Sequence, residues 1–354
     1  MRLLTIVGNR PQFIKAWVFS RAAEAAGAQE TVLHTGQHYD DELSGVFFDE
    51  LGLVEPTYRL SAGGGTAAEQ LATMLPAIEG AIAEDAPDWV VVFGDTNSTL
   101  AGALAARSAG TRLAHVEAGL RSFDRAMPEE INRVLTDCMS DALFSPSRLA
   151  VENLENEGIR DGVHQIGDVM LDVANLVGPL ARERSEVLAQ LALEPSAYFL
   201  LTVHRQANAA AEPLARVASA IRELSRPVVF PVHPRTRAVI DDHQIDFGEH
   251  AVLIKPLGLF DFTLLMMNAH AVLTDSGGVQ KEAYWHGVPC ITLRESTEWP
   301  ETIEAGWNRL VGTDARRISD AAGMIEPGPE RPQLYGDGRA SEAVVRVLDT
   351  MGSR

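Results

Sequence analysis

Short apolar runs alternate with longer stretches of helical periodicity along most of the chain. Apolar runs that end abruptly at small or polar residues are typical of strands buried in a parallel sheet. In the first half these runs are residues 3–7, 30–34, 89–93, 111–116, 142–144 and 164–166, with helical patterns at 12–26, 67–82 and 148–157. Phe47 and Phe48 fall in a further amphipathic helical pattern. The alternation predicts an α/β protein with a doubly wound parallel sheet.

The same alternation restarts after a charge-rich helical stretch at residues 177–195, which reads as the crossing between two halves. The later apolar runs are residues 198–203, 227–232, 251–254, 271–273 and 289–293. We therefore expect two similar halves facing each other, with the ligand in the cleft between them. The expected domains are residues 1–175 and 176–340.

Three acidic positions lie close to predicted strand ends in the stretch 91–133. Asp95 and Glu117 each follow an apolar run, and Glu129 stands with Glu130 at the start of the next helix. Ligands of open α/β sheets gather at the carboxyl ends of the strands. The three acids together therefore predict a proton-transfer site. The alternative is that each acid caps a helix or pairs with an arginine.

Cationic residues are predicted at two other strand ends. Arg10 lies in the turn after the first strand, and Lys15 lies near the start of the helix that follows, where an anion is favoured. His204 and Arg205 come directly after the run at 198–203. His204 is a candidate phosphate ligand or acid–base group, with a purely structural histidine as the alternative.

A glycine pair marks a possible phosphate site in the second half. Ser276, Gly277 and Gly278 separate a predicted strand from a helical pattern at 279–286. Glycines let the backbone approach a ligand, and the free N–H groups of a helix start suit a phosphate. Glu282 lies about one turn into the helix, where its carboxylate can accept from ribose hydroxyls. Neither a Walker loop nor a GxGxxG motif occurs in the required context.

Composition narrows the class of protein. The chain has 354 residues, 46% of them hydrophobic, and a formal net charge of −19. This charge argues against nucleic-acid or anionic-membrane binding, so an anionic ligand needs local cations and N–H groups. The two cysteines, Cys138 and Cys290, show no metal spacing and are expected to be buried reduced thiols. We expect a cytoplasmic enzyme, since no signal peptide or membrane-spanning run is apparent.

Seven motifs carry a resemblance to a known family. They are GNRPQFIK at 8–15, GDTNSTL at 94–100, HVEAGLR at 115–121, PEEINR at 128–133, TVHR at 202–205, TDSGG at 274–278 and YGDG at 335–338. In order and over nearly the whole chain they resemble the UDP-N-acetylglucosamine 2-epimerase family. The resemblance implies a GT-B fold, with two Rossmann-like domains, an interdomain cleft and a C-terminal helix at 341–354 that packs back on the first domain. It also implies a homodimer.

The resemblance further implies an activity and a set of site residues. Such enzymes invert C2 of a UDP-linked 2-acetamido sugar through anti elimination of UDP, a 2-acetamidoglycal and re-addition of UDP. No metal, nicotinamide or other cofactor is implied. The implied catalytic residues are Asp95, Glu117, Glu129 and His204, with His204 also stabilising the diphosphate. The implied substrate-binding residues are Arg10, Lys15, Arg133, Arg205, Ser276, Gly277, Gly278, Glu282 for ribose and Phe262 near uracil.

Several positions depart from the usual family pattern. Ala207 stands where a glutamate is frequent, Gln12 replaces a frequent glutamate, and Trp299 replaces an arginine. With the segments at 36–39 and 121–124, Trp299 looks more like the branch that acts on UDP-2,3-diacetamido-2,3-dideoxyglucuronate. Residues 37–40 also differ from the sequence of allosterically regulated members, which predicts weak or absent activation by UDP-N-acetylglucosamine.

Three other functions remain open at this point. A hydrolysing variant of the same fold would release the free manno sugar and UDP. A GT-B glycosyltransferase would keep an acceptor site and need fewer carboxylates. A nucleotide-sugar sensor would bind without turnover, and Ala207 is the only hint of it.

Overall fold

The computed structural model describes residues 1–37, 55–328 and 330–352. The chain divides into two compact units, the first made of Met1–Val173 with Gln333–Arg354 and the second of Ala174–Pro332. The helix expected around Phe47 and Phe48 and the segment 38–40 lie outside the described residues.

The first unit contains a seven-stranded parallel sheet. Its strand order is β3-β2-β1-β4-β5-β6-β7, so the order reverses between β1 and β4. Ligands of doubly wound sheets bind at such a reversal. The strands are β1 (Arg2–Val7), β2 (Gln29–His34), β3 (Tyr58–Arg59), β4 (Trp89–Phe93), β5 (Arg112–Val116), β6 (Ala142–Ser145) and β7 (Val163–Gln165). The two-residue edge strand β3 was missed because it is too short to show a pattern.

Helices in the first unit begin at side-chain caps that their sequences supply. Asn9 caps the first helix and accepts from the N–H of Gln12, and Thr66 and Glu69 form a capping box for the second. The helices are α1 (Arg10–Ala25), α2 (Ala67–Asp85), α3 (Asn97–Ser108), α4 (Pro128–Met139) and α5 (Arg148–Asn156). The core between sheet and helices is apolar and includes Leu4, Ile6 and Val92, each essentially fully buried.

Helix α4 exposes its apolar face. Ile131 and Leu135 are 48% and 44% exposed, whereas Asp137 is buried. Cys138 lies on the exposed side, so the expectation that both cysteines are buried is wrong for Cys138 and correct for Cys290. The apolar side chains around Cys138 face outward, because the polar side chains of α4, such as Asp137, face inward and form buried hydrogen bonds.

The second unit contains a six-stranded parallel sheet of order β10-β9-β8-β11-β12-β13. Its strands are β8 (Phe199–Thr202), β9 (Val228–Pro231), β10 (Ala251–Ile254), β11 (Ala271–Thr274), β12 (Cys290–Thr292) and β13 (Asn308–Leu310). The edge strand β13 was not predicted. A separate apolar core lies around Leu201, Phe230 and Leu273.

The helical stretch expected at 177–195 is interrupted. Helix α6 (Val169–Arg184) ends before Ser185, and a short helix α7 (Val187–Gln190) follows. The hydroxyl of Ser185 accepts from the N–H of Val187 and donates to Asp261 at 2.6 Å. This turn breaks the helix because a serine side chain competes for backbone donors. The predicted helical stretch therefore consists of two helices, separated at Ser185.

The remaining helices complete the two units. In the second unit they are α8 (Ala211–Glu223), α9 (Pro234–Asp242), α10 (Leu259–Met267), α11 (Gly277–His286), α12 (Pro300–Glu304) and α13 (Ala315–Met324). The last helix, α14 (Ala340–Gly352), belongs to the first unit and packs on α1. The carboxylate of Asp172 accepts from the N–H groups of Ala340 and Ser341 and so anchors the start of α14.

Candidate functional site

Two acidic residues follow neighbouring strands at the carboxyl edge of the first sheet. Phe93 and Val116, the last residues of β4 and β5, are paired in register. Asp95 and Glu117 therefore follow at the same edge. A Cβ placed on Gly94 would lie 3.4 Å from Oε2 of Glu117, so the backbone before Asp95 passes close to the second carboxylate. Glu117 itself has a φ of +73°, a strained left-handed conformation for a residue with a side chain.

A lysine from α1 is paired with one of these acids. The ammonium of Lys15 forms an ion pair with Glu117, and both side chains are largely buried. Burial alone would lower the pKa of Lys15, but the Glu117 carboxylate outweighs it and raises that pKa above its ordinary value. Arg10 is exposed at the first position of α1. The sequence predicted that Lys15 would lie near a helix start that favours an anion. In the structure its ammonium is paired with the Glu117 carboxylate.

An arginine from α4 is paired with the other acid. Arg133 forms ion pairs with Asp95 and with Glu130, the latter at 2.9 Å. Asn132 donates to the carbonyl of Asp95 at 3.0 Å and so ties the same turn to α4. One alternative for the three acids was that each pairs with an arginine, and Asp95 does make such a pair.

The two adjacent glutamates at the start of α4 differ in their surroundings. Glu129 is exposed, whereas Glu130 is buried and accepts from the N–H groups of Ser122 and Phe123, each at 2.9 Å. Burial alone would raise the pKa of Glu130, but these donors and Arg133 hold it below its ordinary value. Glu130 therefore organises the loop before α4, and Glu129 is the member of the pair that is open to solvent.

A buried network that sequence reasoning missed lies behind the acids. The His115 ring contacts Asp137 on one side and the carbonyl of Gly94 on the other, both at 2.7 Å. Asp137 also accepts from the N–H of Gly119 and from Arg121. The motif at 115–121 contains three of these residues, but only the folded chain brings Asp137 to them.

The second unit holds the histidine and the arginine that follow β8. Asp275, fully buried after β11, accepts from the N–H of His204 at 2.9 Å and from the N–H of Arg205 at 3.0 Å. The amide of Asn208 donates to Asp275 at 3.1 Å. The sequence motif predicted His204 and Arg205 as site residues, but the role of Asp275 in holding their backbone was missed.

The glycine pair lies at the start of helix α11, as predicted. Gly277 is its first residue, and the hydroxyl of Ser276 caps the helix by accepting from Val279. A Cβ on Gly278 would lie 3.9 Å from a carboxylate oxygen of Glu282, which places that carboxylate beside the first turn. Free N–H groups at a helix start attract an anion, and the backbone here can be approached closely.

An acidic and an aromatic side chain border the same turn. A Cβ on Gly277 would lie 3.4 Å from Nε1 of Trp299 and 3.5 Å from Oε2 of Glu298. Arg294 donates to both oxygens of Glu298 at 2.8 Å. Burial alone would raise the pKa of Glu298, but Arg294 outweighs it and lowers that pKa. Lys281 lies 3.9 Å above the Trp299 ring, a cation–π contact.

Phe262, possible metal ligands and possible membrane-spanning helices complete the survey of the chain. Phe262 is half-buried in the first turn of α10. Within residues 1–37, 55–328 and 330–352, no group of three or more His, Cys, Asp or Glu side chains could hold a metal ion. In the same part of the chain, no helix is long and apolar enough to cross a membrane.

The fold is that of a doubly wound α/β protein, with two carboxylates at neighbouring strand ends in one unit and a glycine pair at a helix start in the other. The model of the UDP-N-acetylglucosamine 2-epimerase family matches residues 21–349. The chain belongs to this family, as the motifs predicted.

Relatives and solved structures agree with that assignment. A UDP-N-acetylglucosamine 2-epimerase homolog of Methanococcus maripaludis is 45% identical over 98% of this chain and 99% of its own. The UDP-2,3-diacetamido-2,3-dideoxy-D-glucuronate 2-epimerase of Pseudomonas aeruginosa is 43% identical over 98% and 99%. The crystal structure of Methanocaldococcus jannaschii UDP-GlcNAc 2-epimerase in complex with UDP-GlcNAc and UDP is 41% identical, covers 99% of this chain and 100% of its own, and has a TM-score of 0.88. The predicted GT-B-type α/β fold is confirmed.

Proposed function

We propose that the protein epimerises C2 of a UDP-linked 2-acetamido sugar without hydrolysing it. The observation that carries the proposal is the position of Asp95 and Glu117 after the paired ends of β4 and β5, with Glu117 beside the Gly94 backbone that leads into Asp95. An inversion at carbon needs proton-transfer groups for both faces of the sugar. Two carboxylates at one sheet edge, with Glu129 exposed at the start of α4, supply such groups.

The chemistry divides the inversion into two steps. The C2 proton leaves to a carboxylate as the C1–oxygen bond breaks, so that UDP departs and a C1–C2 double bond forms. UDP then adds back to C1 while a proton arrives at the opposite face of C2. Asp95, Glu117 and Glu129 serve these transfers in the proposal. Lys15 and Arg133 hold two of the acids in place through their ion pairs.

The second unit supplies the nucleotide contacts in this proposal. The N–H groups of Gly277 and Gly278 receive the diphosphate at the start of α11, and Ser276 assists through its hydroxyl, because its own N–H donates to the Thr274 hydroxyl at 3.0 Å. The side chains proposed to assist are His204 and Arg205, with Arg10 from the first unit, for the departing charge, Glu282 for the ribose hydroxyls and Phe262 for the uracil ring.

A more heavily modified sugar is a second candidate substrate. The relative from Pseudomonas aeruginosa acts by name on UDP-2,3-diacetamido-2,3-dideoxy-D-glucuronate and is 43% identical to this chain. Trp299, in place of the usual arginine, lies against Gly277 and favours this branch. Comparing kcat/KM for that uronate with kcat/KM for UDP-N-acetylglucosamine decides between the two substrates.

Exchange with solvent tests the proposed reaction. The protein is incubated in deuterated water with each of the two UDP-sugars and followed by NMR. Deuterium at C2 of an intact UDP-sugar, with both C2 epimers present, is the expected result. Free sugar with UDP would instead identify a hydrolysing enzyme. Binding of both UDP-sugars with no exchange would contradict the proposal and favour a sensor or a glycosyltransferase.

Three variants test the acids separately. Asp95→Asn, Glu117→Gln and Glu129→Gln are each expected to abolish C2 exchange while UDP affinity changes little, because the acids move protons and do not hold the nucleotide. Glu152→Gln, at an ion-paired position on the surface of α5, is the matched control and should exchange at the wild-type rate. Wild-type exchange in any one of the three would remove that residue from the mechanism.

We also propose that the protein works as a homodimer that covers the apolar face of α4. Ile131 and Leu135 are exposed there, one helical turn apart. Leu135→Lys is expected to shift the protein toward monomer in size-exclusion chromatography with light scattering. Met324→Lys, at a residue 62% exposed on α13, is the control and should leave the mass unchanged.

A further inference from the structure

His115 makes two hydrogen bonds that use both of its ring nitrogens. Nδ1 lies 2.7 Å from Oδ1 of Asp137, and Nε2 lies 2.7 Å from the carbonyl oxygen of Gly94. The side chains of His115 and Asp137 are both 0% exposed. The contact between these two side chains is therefore shielded from water.

The hydrogen-bond partners of the His115 ring determine which of its nitrogens carry a hydrogen. A backbone carbonyl only accepts, so Nε2 must carry a hydrogen. The second oxygen of Asp137 accepts from the N–H of Gly119 at 3.1 Å and from Arg121 at 2.7 Å. These donors suit a carboxylate that carries no proton, and the Arg121 charge favours that ionised form. The hydrogen between Asp137 and Nδ1 then belongs to the ring as well.

His115 and Asp137 together hold the two turns that carry the proposed acids, Asp95 and Glu117. The Gly94 carbonyl is part of the peptide bond that leads into Asp95, and the Gly94 backbone passes beside the carboxylate of Glu117. The Gly119 N–H that donates to Asp137 lies two residues after Glu117. A shift of the His115 ring would therefore move the two acids together.

We propose that His115 is a buried imidazolium which, with Asp137, positions Asp95 and Glu117 for the reaction. Both are positioning residues, because neither reaches the substrate directly. The kinetic part rests on the proposed epimerase function, whereas the charge on the ring does not. The charged groups around the ring are Asp137 and, beyond it, Arg121 with its partner Glu157, while Glu117 with Lys15 lies on the far side of Gly94.

Nitrogen-15 NMR of the full-length, ligand-free protein tests the charge. We expect both ring nitrogens of His115 to be protonated at pH 7, with two slowly exchanging N–H protons. His115→Gln assigns these signals by removing them. His34 is the internal reference, since burial and then Arg59 lower its pKa to about 4 and its ring is neutral at pH 7. A neutral His115 ring with one bare nitrogen would overturn this part of the proposal.

Asp137→Asn tests the positioning role. The amide keeps the size of the side chain but removes the charge opposite the ring, so kcat for C2 exchange should fall about 10²-fold, as for a misplaced catalytic group. KM and the UDP dissociation constant should change little. His164→Gln, in a histidine that stacks on Phe144 in the same sheet, should keep the wild-type kcat. A wild-type kcat in Asp137→Asn would contradict the proposal.

Two further measurements keep these outcomes distinct. Circular dichroism and the melting temperature show whether Asp137→Asn and His115→Gln are folded, and the NMR result on the wild-type protein stands if either is not. Absence of C2 exchange in the wild-type protein with both UDP-sugars would refute the proposed function. The NMR experiment would still decide whether His115 is charged.

Discussion

The ammonium of Lys15 and the carboxylate of Glu117 form an ion pair, although the two residues lie 102 positions apart in the chain. Lys15 comes from α1 and Glu117 from the turn after β5. Only 11% and 9% of their side-chain surfaces are exposed. Taking two charges out of water is costly, so each member depends on the other.

Removing the lysine alone should therefore be strongly destabilising. For Lys15→Met we expect the free energy of unfolding in urea to fall by about 3–5 kcal/mol, because the substitution removes the cation that pairs with the buried Glu117 carboxylate. The double variant Lys15→Met/Glu117→Gln should recover part of this loss. Additive losses in the two single variants would contradict the coupling.

The same pair predicts a dependence on alkaline pH. The pKa of Lys15 is raised in the folded protein, so its contribution is complete below the unfolded value of about 10.4 and is lost as the pH rises through the folded value. The stability difference between the wild-type protein and Lys15→Met should be constant at neutral pH and shrink above about pH 10.4. If this stability difference already shrank between pH 7 and about pH 10.4, the pKa of Lys15 would not be raised in the folded protein.

Gly94 is expected to matter for activity as well as for stability. Its φ is +63°, and an added Cβ would meet Glu117 at 3.4 Å. Gly94→Ala should lose about 1–2 kcal/mol of unfolding free energy from the left-handed backbone and should also displace the acids, which lowers kcat for C2 exchange.

Gly110 offers a matched control for that substitution. Its φ is +71° and nothing lies within 4 Å of an added Cβ. Gly110→Ala should show a similar loss of stability with a wild-type kcat. Equal kcat values in Gly94→Ala and Gly110→Ala would show that the contact with Glu117 is unimportant.

Asp275 is expected to support UDP binding through the backbone. Both carboxylate oxygens accept hydrogen bonds, from the N–H groups of His204 and Arg205. Asp275→Asn places an amide N–H₂ against one of these donors, which should cost about 1–3 kcal/mol and weaken UDP binding in calorimetry. Asp246→Asn is the control, because Asp246 is exposed and one of its carboxylate oxygens accepts from the N–H of Gly248 at 2.8 Å. Unchanged UDP affinity in Asp275→Asn would exclude this role.

His34 is expected to make the protein sensitive to mild acid. Burial first, and the charge of Arg59 second, lower its pKa from 6.5 to about 4, so the unfolded chain takes up the proton more readily. Stability should fall as the pH drops below 6.5 toward 4, by about 3 kcal/mol from this residue. Urea unfolding at both pH values measures the loss, which should be smaller in His34→Gln. His250→Gln, at an exposed histidine, should behave like the wild-type protein.

Much of the fold could be predicted because parallel strands buried on both faces leave a strong pattern. The run at Trp89–Phe93 is fully buried, and its end at Gly94 could be read directly. The two missed strands, β3 and β13, have two and three residues at sheet edges, where burial is partial and the pattern is weak. The break at Ser185 depends on its contact with Asp261, which no local pattern reveals.

By itself, the sequence determined that Asp95 and Glu117 stand at the ends of strands, because chain order and the parallel sheet bring those ends to one edge. Only the tertiary structure decided what each acid contacts. It paired Lys15 with Glu117 and Arg133 with Asp95. It also buried Glu130 instead of Glu129. Side-chain partners in a folded protein come from distant segments packed together, and a local pattern of apolar and polar positions carries no record of them.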